Sequence, residues 1–203
     1  KTMGNESFKI LRIDGGGIRG VYSAHILKRI EEEFKIKLHD YFDLIAGTST
    51  GSIIAAAIVC DISLDEVEKL YKDKGNEIFS KKVWWKLPKW CSSKFHSEEL
   101  NKILIEKFGN KTLGDISKPL ILQASNITTG KVYVAKSFYN KDFIRDKHIK
   151  LTDAILASCS APTYFDPHCV GPYLLADGGL WANNPSLVAV IDAKKRLGRK
   201  LED

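Results

Sequence analysis

Three short blocks of the chain hold groups with chemical potential. Gly47-Thr48-Ser49-Thr50-Gly51 has the form G-x-S-x-G, in which a sharp strand-to-helix turn lifts a serine hydroxyl clear of its sheet. Gly47 and Gly51 would remove side chains that collide with neighbouring backbone. The following helix would turn about half a positive charge toward negative charge forming at the site. A serine there also suits the plain role of helix N-cap. The second block, Asp14-Gly15-Gly16-Gly17-Ile18-Arg19-Gly20, fits the dinucleotide spacing G-x-G-x-x-G. That motif also needs an acidic residue about 20 positions on, at the end of the next strand. Asp40 and Asp43 precede or open that strand instead. Consecutive glycines can also aim bare N–H groups at an anion, either a phosphate or the oxyanion of an ester under attack.

A neutral hydroxyl is a poor nucleophile and needs a base. The five histidines are His25, His39, His96, His148 and His168, and none ends a strand beside a glycine turn. The third block, Asp177-Gly178-Gly179, is better placed. It closes a short apolar strand, so its carboxylate reaches Ser49 if the two strand ends converge. An ordinary turn is the alternative reading of Asp-Gly-Gly.

The elements that must position these groups follow from periodicity and punctuation. Strands are predicted over residues 8–13, 41–46, 119–125, 131–137 and 173–176. Helices are predicted over 21–35, with Ile26, Ile30 and Phe34 on one stripe, and over 50–60, strongly apolar and therefore buried. Further helices are predicted over 63–74, from Ser97 to near Gly109, and over 152–159 and 185–197. Strands alternating with helices indicate an α/β fold with a mostly parallel sheet.

The 203 residues suit a single domain over 1–203. Apolar residues at 44% and charged residues at 28% exclude a disordered chain. The longest apolar run, residues 53–60, is far too short for a membrane-spanning helix. No secretory leader is visible, although the chain opens at Lys1. Cys60, Cys91, Cys159 and Cys169 are scattered, without zinc-site spacing or a disulfide framework. Most of the net charge of +6 falls between Lys72 and Lys94, where seven lysines face two acids. The same stretch holds Trp84, Trp85 and Trp90. Lysine interleaved with tryptophan suits an anionic membrane surface. It also suits a solvated loop, or stacking with single-stranded nucleic acid.

Four blocks, taken in order, resemble the patatin-like phospholipases: Asp14 to Gly20, Gly47 to Gly51, Ala157-Ser-Cys-Ser-Ala-Pro-Thr-Tyr-Phe-Asp166, and Asp177 to Gly179. The resemblance implies a three-layer α/β/α lipid acyl hydrolase with a Ser–Asp dyad. Ser49 falls on the nucleophile and Asp177 on the base. Gly15, Gly16 and Gly17 fall on the oxyanion loop. Arg19 matches the arginine of that loop, which fixes it or touches lipid phosphate, and Gly47 and Gly51 support the elbow. The family uses no metal ion and no cofactor. Its substrates are phospholipids or other acyl lipids at a membrane surface, so the expected partner is lipid rather than nucleic acid. The implied location is cytoplasmic and peripheral to the membrane. Residues 72–94 read as a basic, Trp-rich insertion or lid, with Trp84, Trp85 and Trp90 as membrane contacts. Some family members are defence effectors or toxins switched on by a ligand or partner, and the resemblance names no activator here. Nor does it give an oligomeric state. Members run on past the Asp-Gly-Gly block, so the family pattern implies a native C-terminal part beyond Asp203. A catalytically silent lipid- or nucleotide-binding module of the same fold is the competing reading.

Overall fold

The computed structural model describes residues 7–79 and 89–200, with backbone alone for residues 76, 77, 79 and 89–96. In chain order the elements are β1 (Ile10–Ile13), a 3-10 turn (Gly17–Arg19), α1 (Gly20–Phe34), α2 (Leu38–Tyr41), β2 (Leu44–Thr48), α3 (Thr50–Val59), α4 (Leu64–Phe79) and α5 (Lys89–Phe108). A second 3-10 turn (Leu113–Asp115) leads to β3 (Leu120–Asn126), β4 (Lys131–Lys136), α6 (Leu151–Cys159), β5 (His168–Val170), β6 (Tyr173–Asp177), α7 (Gly179–Ala182) and α8 (Ser186–Arg196).

The sheet runs β1-β2-β3-β6-β5, with β4 paired to β3 off this path. β1, β2 and β3 are parallel. β4 and β6 run antiparallel to β3, and β5 runs antiparallel to β6, so four of the six strands point the same way. Strand alternation sorts residues to the two faces. Ile45, Leu120 and Leu122 join the main core with α1, α3, α4, α5 and α6. Leu44, Ala46 and Ile121 face the other way, against Ala189 and Val188 of α8. The result is the expected three-layer α/β/α arrangement. Every residue of α3 is buried. A helix apolar all round is stable only when enclosed in this way.

Two expectations need correction. The buried stripe of α1 is Gly20, Ala24 and Leu27, while Ile26 is 58% and Phe34 69% exposed. Small residues win that face because α1 lies close to α4; a Cβ on Gly20 would sit 2.9 Å from the Tyr71 ring. The helix predicted to end near Lys74 continues to Phe79, and the one predicted to open at Ser97 begins at Lys89, directly after Pro88. The two ends of the basic stretch are therefore helical. Trp84 and Trp85 lie outside the described residues, and Trp90 falls in the first turn of α5, where only backbone is described. Lys72 pairs with Glu68 one helical turn away. No helix among the described residues is long and apolar enough to cross a membrane.

Candidate active site

Ser49 stands between the end of β2 and the start of α3 with φ 53° and ψ −129°. A side chain costs about 1–3 kcal/mol in such a region, so the surrounding structure must hold it there. Several contacts do so. The Ser49 N–H donates to Ser158 Oγ at 2.9 Å, and Ser52 Oγ donates to the Ser49 carbonyl at 2.5 Å. Tyr71, fully enclosed, donates its hydroxyl to the Thr50 carbonyl at 2.9 Å. Close approach makes the flanking glycines obligatory. A Cβ on Gly51 would overlap the Ile13 carbonyl oxygen and lie 2.7 Å from that of Asp14, and one on Gly47 would lie 2.5 Å from the Gly51 oxygen. Gly51→Ala must therefore push the end of β1 from the start of α3. We expect a loss of about 2–3 kcal/mol, read as a melting temperature lower by about 5–10 °C; an unchanged transition would contradict this packing.

Asp177 reaches the serine by a route that the sequence does not reveal. β6 enters from the far side of the site, antiparallel to β3, and its last residue pairs with Ala124. On the other edge of β3, Thr48 pairs with Gln123. The two strands thus end at the same level on either side of β3, and the Ser49 side chain comes close enough to the Asp177 carboxylate to favour its charged form. Asp177 is only 5% exposed. Burial raises its pKa above the usual aspartate range, partly offset by the Ser49 hydroxyl and by the Gly179 N–H, which donates to Oδ1 at 2.6 Å. No described histidine is hydrogen-bonded to Ser49: His25 contacts Glu68, His39 contacts Asp40 and His168 contacts Asp153. Cys159 is close by but remains a thiol, since burial and then the Asp177 charge push its pKa far up.

The glycine loop packs directly on the serine. A Cβ on Gly15 would lie 2.9 Å from Ser49 Cβ and 2.6 Å from Asn183 Oδ1. The Gly15 N–H is already bonded to the Asn183 carbonyl at 3.3 Å. The Gly16 N–H reaches Thr50 Oγ1 at 3.2 Å. Gly17, in a left-handed conformation at φ 57°, and Gly16 both line a cavity of about 440 Å³. Ile18, Arg19, Ser49, Tyr164 and Phe165 are among its other walls. Arg19 Nε donates to the Gly16 carbonyl at 3.4 Å, which braces the loop. The acid needed by the dinucleotide reading is missing from the loop's end of the sheet. Asp43 sits before β2 and accepts the Lys9 N–H at 2.7 Å.

The sequence reading gave no role to three residues that build the site. Ser158 lies within a quoted block, but only coordinates reveal its bond to Ser49. Asn183 holds Gly15 through backbone and side chain, its Nδ2 donating to the Gly15 carbonyl at 3.2 Å. Thr48 Oγ1 donates to the Ala182 carbonyl at 3.1 Å. These bonds tie the turn after Asp177 to both the elbow and the glycine loop. The one available signal was the polar run Asn183-Asn184 just after the third block.

Comparison with known proteins agrees with this architecture. The family described as patatin-like phospholipase matches residues 11–190. A cGAMP-activated phospholipase of Escherichia coli (strain TW11681) is 37% identical over 91% of this chain and 55% of its own length. The calcium-independent phospholipase A2-gamma of Oryctolagus cuniculus is 34% identical over 92% of this chain and 26% of its own. The chain therefore spans little more than half of the first relative and about a quarter of the second. The crystal structure of VipD from Legionella pneumophila superposes with a TM-score of 0.60 at 14% identity, covering 87% of this chain and 46% of that one, a likeness of fold. With its glycine loop, serine elbow and terminal Asp-Gly-Gly in one sheet-end site, and with the family matched over most of its length, the chain belongs to the patatin-like phospholipases.

Proposed function

We propose that this chain hydrolyses fatty acyl esters of glycerophospholipids through Ser49 and Asp177. The observation that carries the reading is the Ser49 hydroxyl and a buried carboxylate brought together at neighbouring strand ends, beside a cavity with both apolar walls and a cation. Asp177 takes the Ser49 proton as Oγ bonds to the ester carbonyl carbon. The resulting oxyanion faces the Gly17 N–H and the N-terminus of α3, with the Gly16 N–H free to turn from Thr50 toward it. Each such donor contributes about 2.7–4 kcal/mol. Gly15 packs the loop against Ser49, and its N–H would join the donors by leaving the Asn183 carbonyl, as that of Gly16 leaves Thr50. The bond to the glycerol oxygen then breaks, and Asp177 returns the proton to that leaving oxygen. Water attacks the acyl-serine, gives its proton to Asp177, and releases fatty acid as Ser49 recovers its own proton. The scheme calls on no calcium ion, in keeping with the name of the calcium-independent relative. Arg19, on the cavity wall, would meet the lipid phosphate, a reading its place in the lining supports.

The test is a fluorophosphonate probe, with the labelled residue located by mass spectrometry, followed by assay on phospholipid vesicles. Labelling at Ser49 with release of free fatty acid supports the reading, and a protein that stays unlabelled and inactive both with and without cGAMP overturns it. Control by a small ligand belongs to the same proposal and draws on the name of the bacterial relative. Running the assay with and without cGAMP decides it, since equal rates would remove that part.

The protein would work as a peripheral enzyme on the cytoplasmic side of a membrane, with the Lys- and Trp-rich residues 72–94 as its contact. Each lysine near an anionic surface gains about 1 kcal/mol. Binding to anionic vesicles should fall with added salt and fall further in Trp84→Ala/Trp85→Ala. Equal binding to neutral and anionic vesicles at every salt level would contradict the electrostatic part.

A further inference from the structure

We infer that Ser158 is a positioning residue of the dyad, holding the nucleophile's backbone in its strained turn while its own carbonyl braces the turn that carries the base. The inference rests on the proposed roles of Ser49 and Asp177 and adds a residue to which they give no function. Ser158 lies in the last turn of α6 and is completely buried. A helix leaves the carbonyls of its last turn without partners inside the helix. Here the dyad's backbone uses them: the Gly178 N–H donates to the Ser158 carbonyl at 3.4 Å, and the Asp177 N–H to the Ser160 carbonyl at 2.9 Å. The side chain of Ser158 makes the complementary contact, with Oγ accepting the Ser49 N–H at 2.9 Å.

That contact matters because of the conformation of Ser49. At φ 53° its N–H is turned out of the parallel ladder that binds the rest of β2, and it points into a site where Ser158 is the acceptor. A buried N–H without an acceptor is strongly disfavoured. Without the Ser158 hydroxyl, the backbone gains by relaxing toward ordinary φ, which swings Oγ away from Asp177. A displacement of about 1 Å at a reacting group can cost on the order of 100-fold in rate. Ser158 touches no substrate in this scheme and acts only through Ser49.

The experiment compares wild type, Ser158→Ala and Ser158→Cys, the last keeping bulk and a weak acceptor. It measures fluorophosphonate labelling rate, kcat and KM on phospholipid, the acidic limb of the pH profile, and the Ser49 amide proton shift. For Ser158→Ala the expected result is a loss of about 10- to 100-fold in kcat and labelling rate. KM should stay unchanged, the acidic limb should move to higher pH because Asp177 keeps the Gly179 N–H but loses the Ser49 hydroxyl that lowers its pKa, and the Ser49 amide should move upfield. Ser158→Cys should fall between, and it takes over the measurement if the alanine variant does not fold. Wild-type rates with an unmoved Ser49 amide, or a loss accounted for wholly by unfolded protein, would overturn the inference. A wild type that the probe does not label would instead strike the underlying dyad.

Discussion

Ser49→Ala should lose fluorophosphonate labelling completely and phospholipid turnover by about 10⁴-fold or more, with its fold retained. The size follows from the role proposed for Ser49: in that scheme there is no acyl-enzyme without Oγ, and the glycine loop can at most polarise an ester toward slow attack by water. Retention of the fold follows from the contacts. The groups that hold position 49 act on its backbone, through Ser158 Oγ and Ser52 Oγ, and both survive the substitution. The melting temperature should shift by only a few degrees. Ser49→Gly sharpens the test, since glycine tolerates φ 53° and the strain is relieved. It should be as inactive as Ser49→Ala and more stable than wild type by about 1 kcal/mol. Activity surviving in either variant would place the nucleophile elsewhere.

Asp177→Asn should lower kcat by about 10²- to 10⁴-fold, the usual contribution of a positioned base, and at neutral pH it should be no less stable than wild type. The second half comes from linkage. Burial raises the folded-state pKa of Asp177, so the native state binds this proton more tightly than the unfolded chain does. The ionised carboxylate therefore costs stability at neutral pH. That cost shrinks as pH falls through the raised pKa and is gone below the unfolded value of about 4. The asparagine keeps an oxygen for the Gly179 N–H and carries no charge, so it escapes the cost. Its stability advantage should narrow on acidification. Wild-type activity should run the other way, lost as pH falls through a midpoint above the ordinary aspartate range because the base is then protonated. Denaturation curves and kcat profiles across pH 4–8 read both effects, and an asparagine variant with normal turnover would return the role of base to a histidine.

How far the site could be read from sequence depended on whether the information was local. The Ser49 elbow was legible because strand, glycine turn and apolar helix are contiguous, and the glycines' need for close approach follows from the chain's own crossing there. Asp177 was legible as the end of an apolar strand. Its manner of arrival was not, since antiparallel entry beside β3 depends on the β3–β4 hairpin and α6 lying between. Ser158 stands 109 residues from Ser49 and contributes an acceptor to a backbone N–H, a contact that leaves no spacing in the sequence. The α1 stripe went astray because large apolar residues were expected inside. Tight packing on Tyr71 instead selects Gly20 and Ala24. The ends of α4 and α5 were read short because lysine and tryptophan hid the helical period around Pro88.

In the proposed mechanism Ser49 and the buried Asp177 form the reacting pair. The most direct measurement is the pH dependence of fluorophosphonate labelling, with the adduct mapped to its residue, in wild type and Asp177→Asn side by side. The expected outcome is an adduct on Ser49 whose formation slows on acidification in wild type, and is slow and nearly independent of pH once the carboxylate is gone. An adduct on another residue, or equal labelling of the two proteins across the range, would contradict the account.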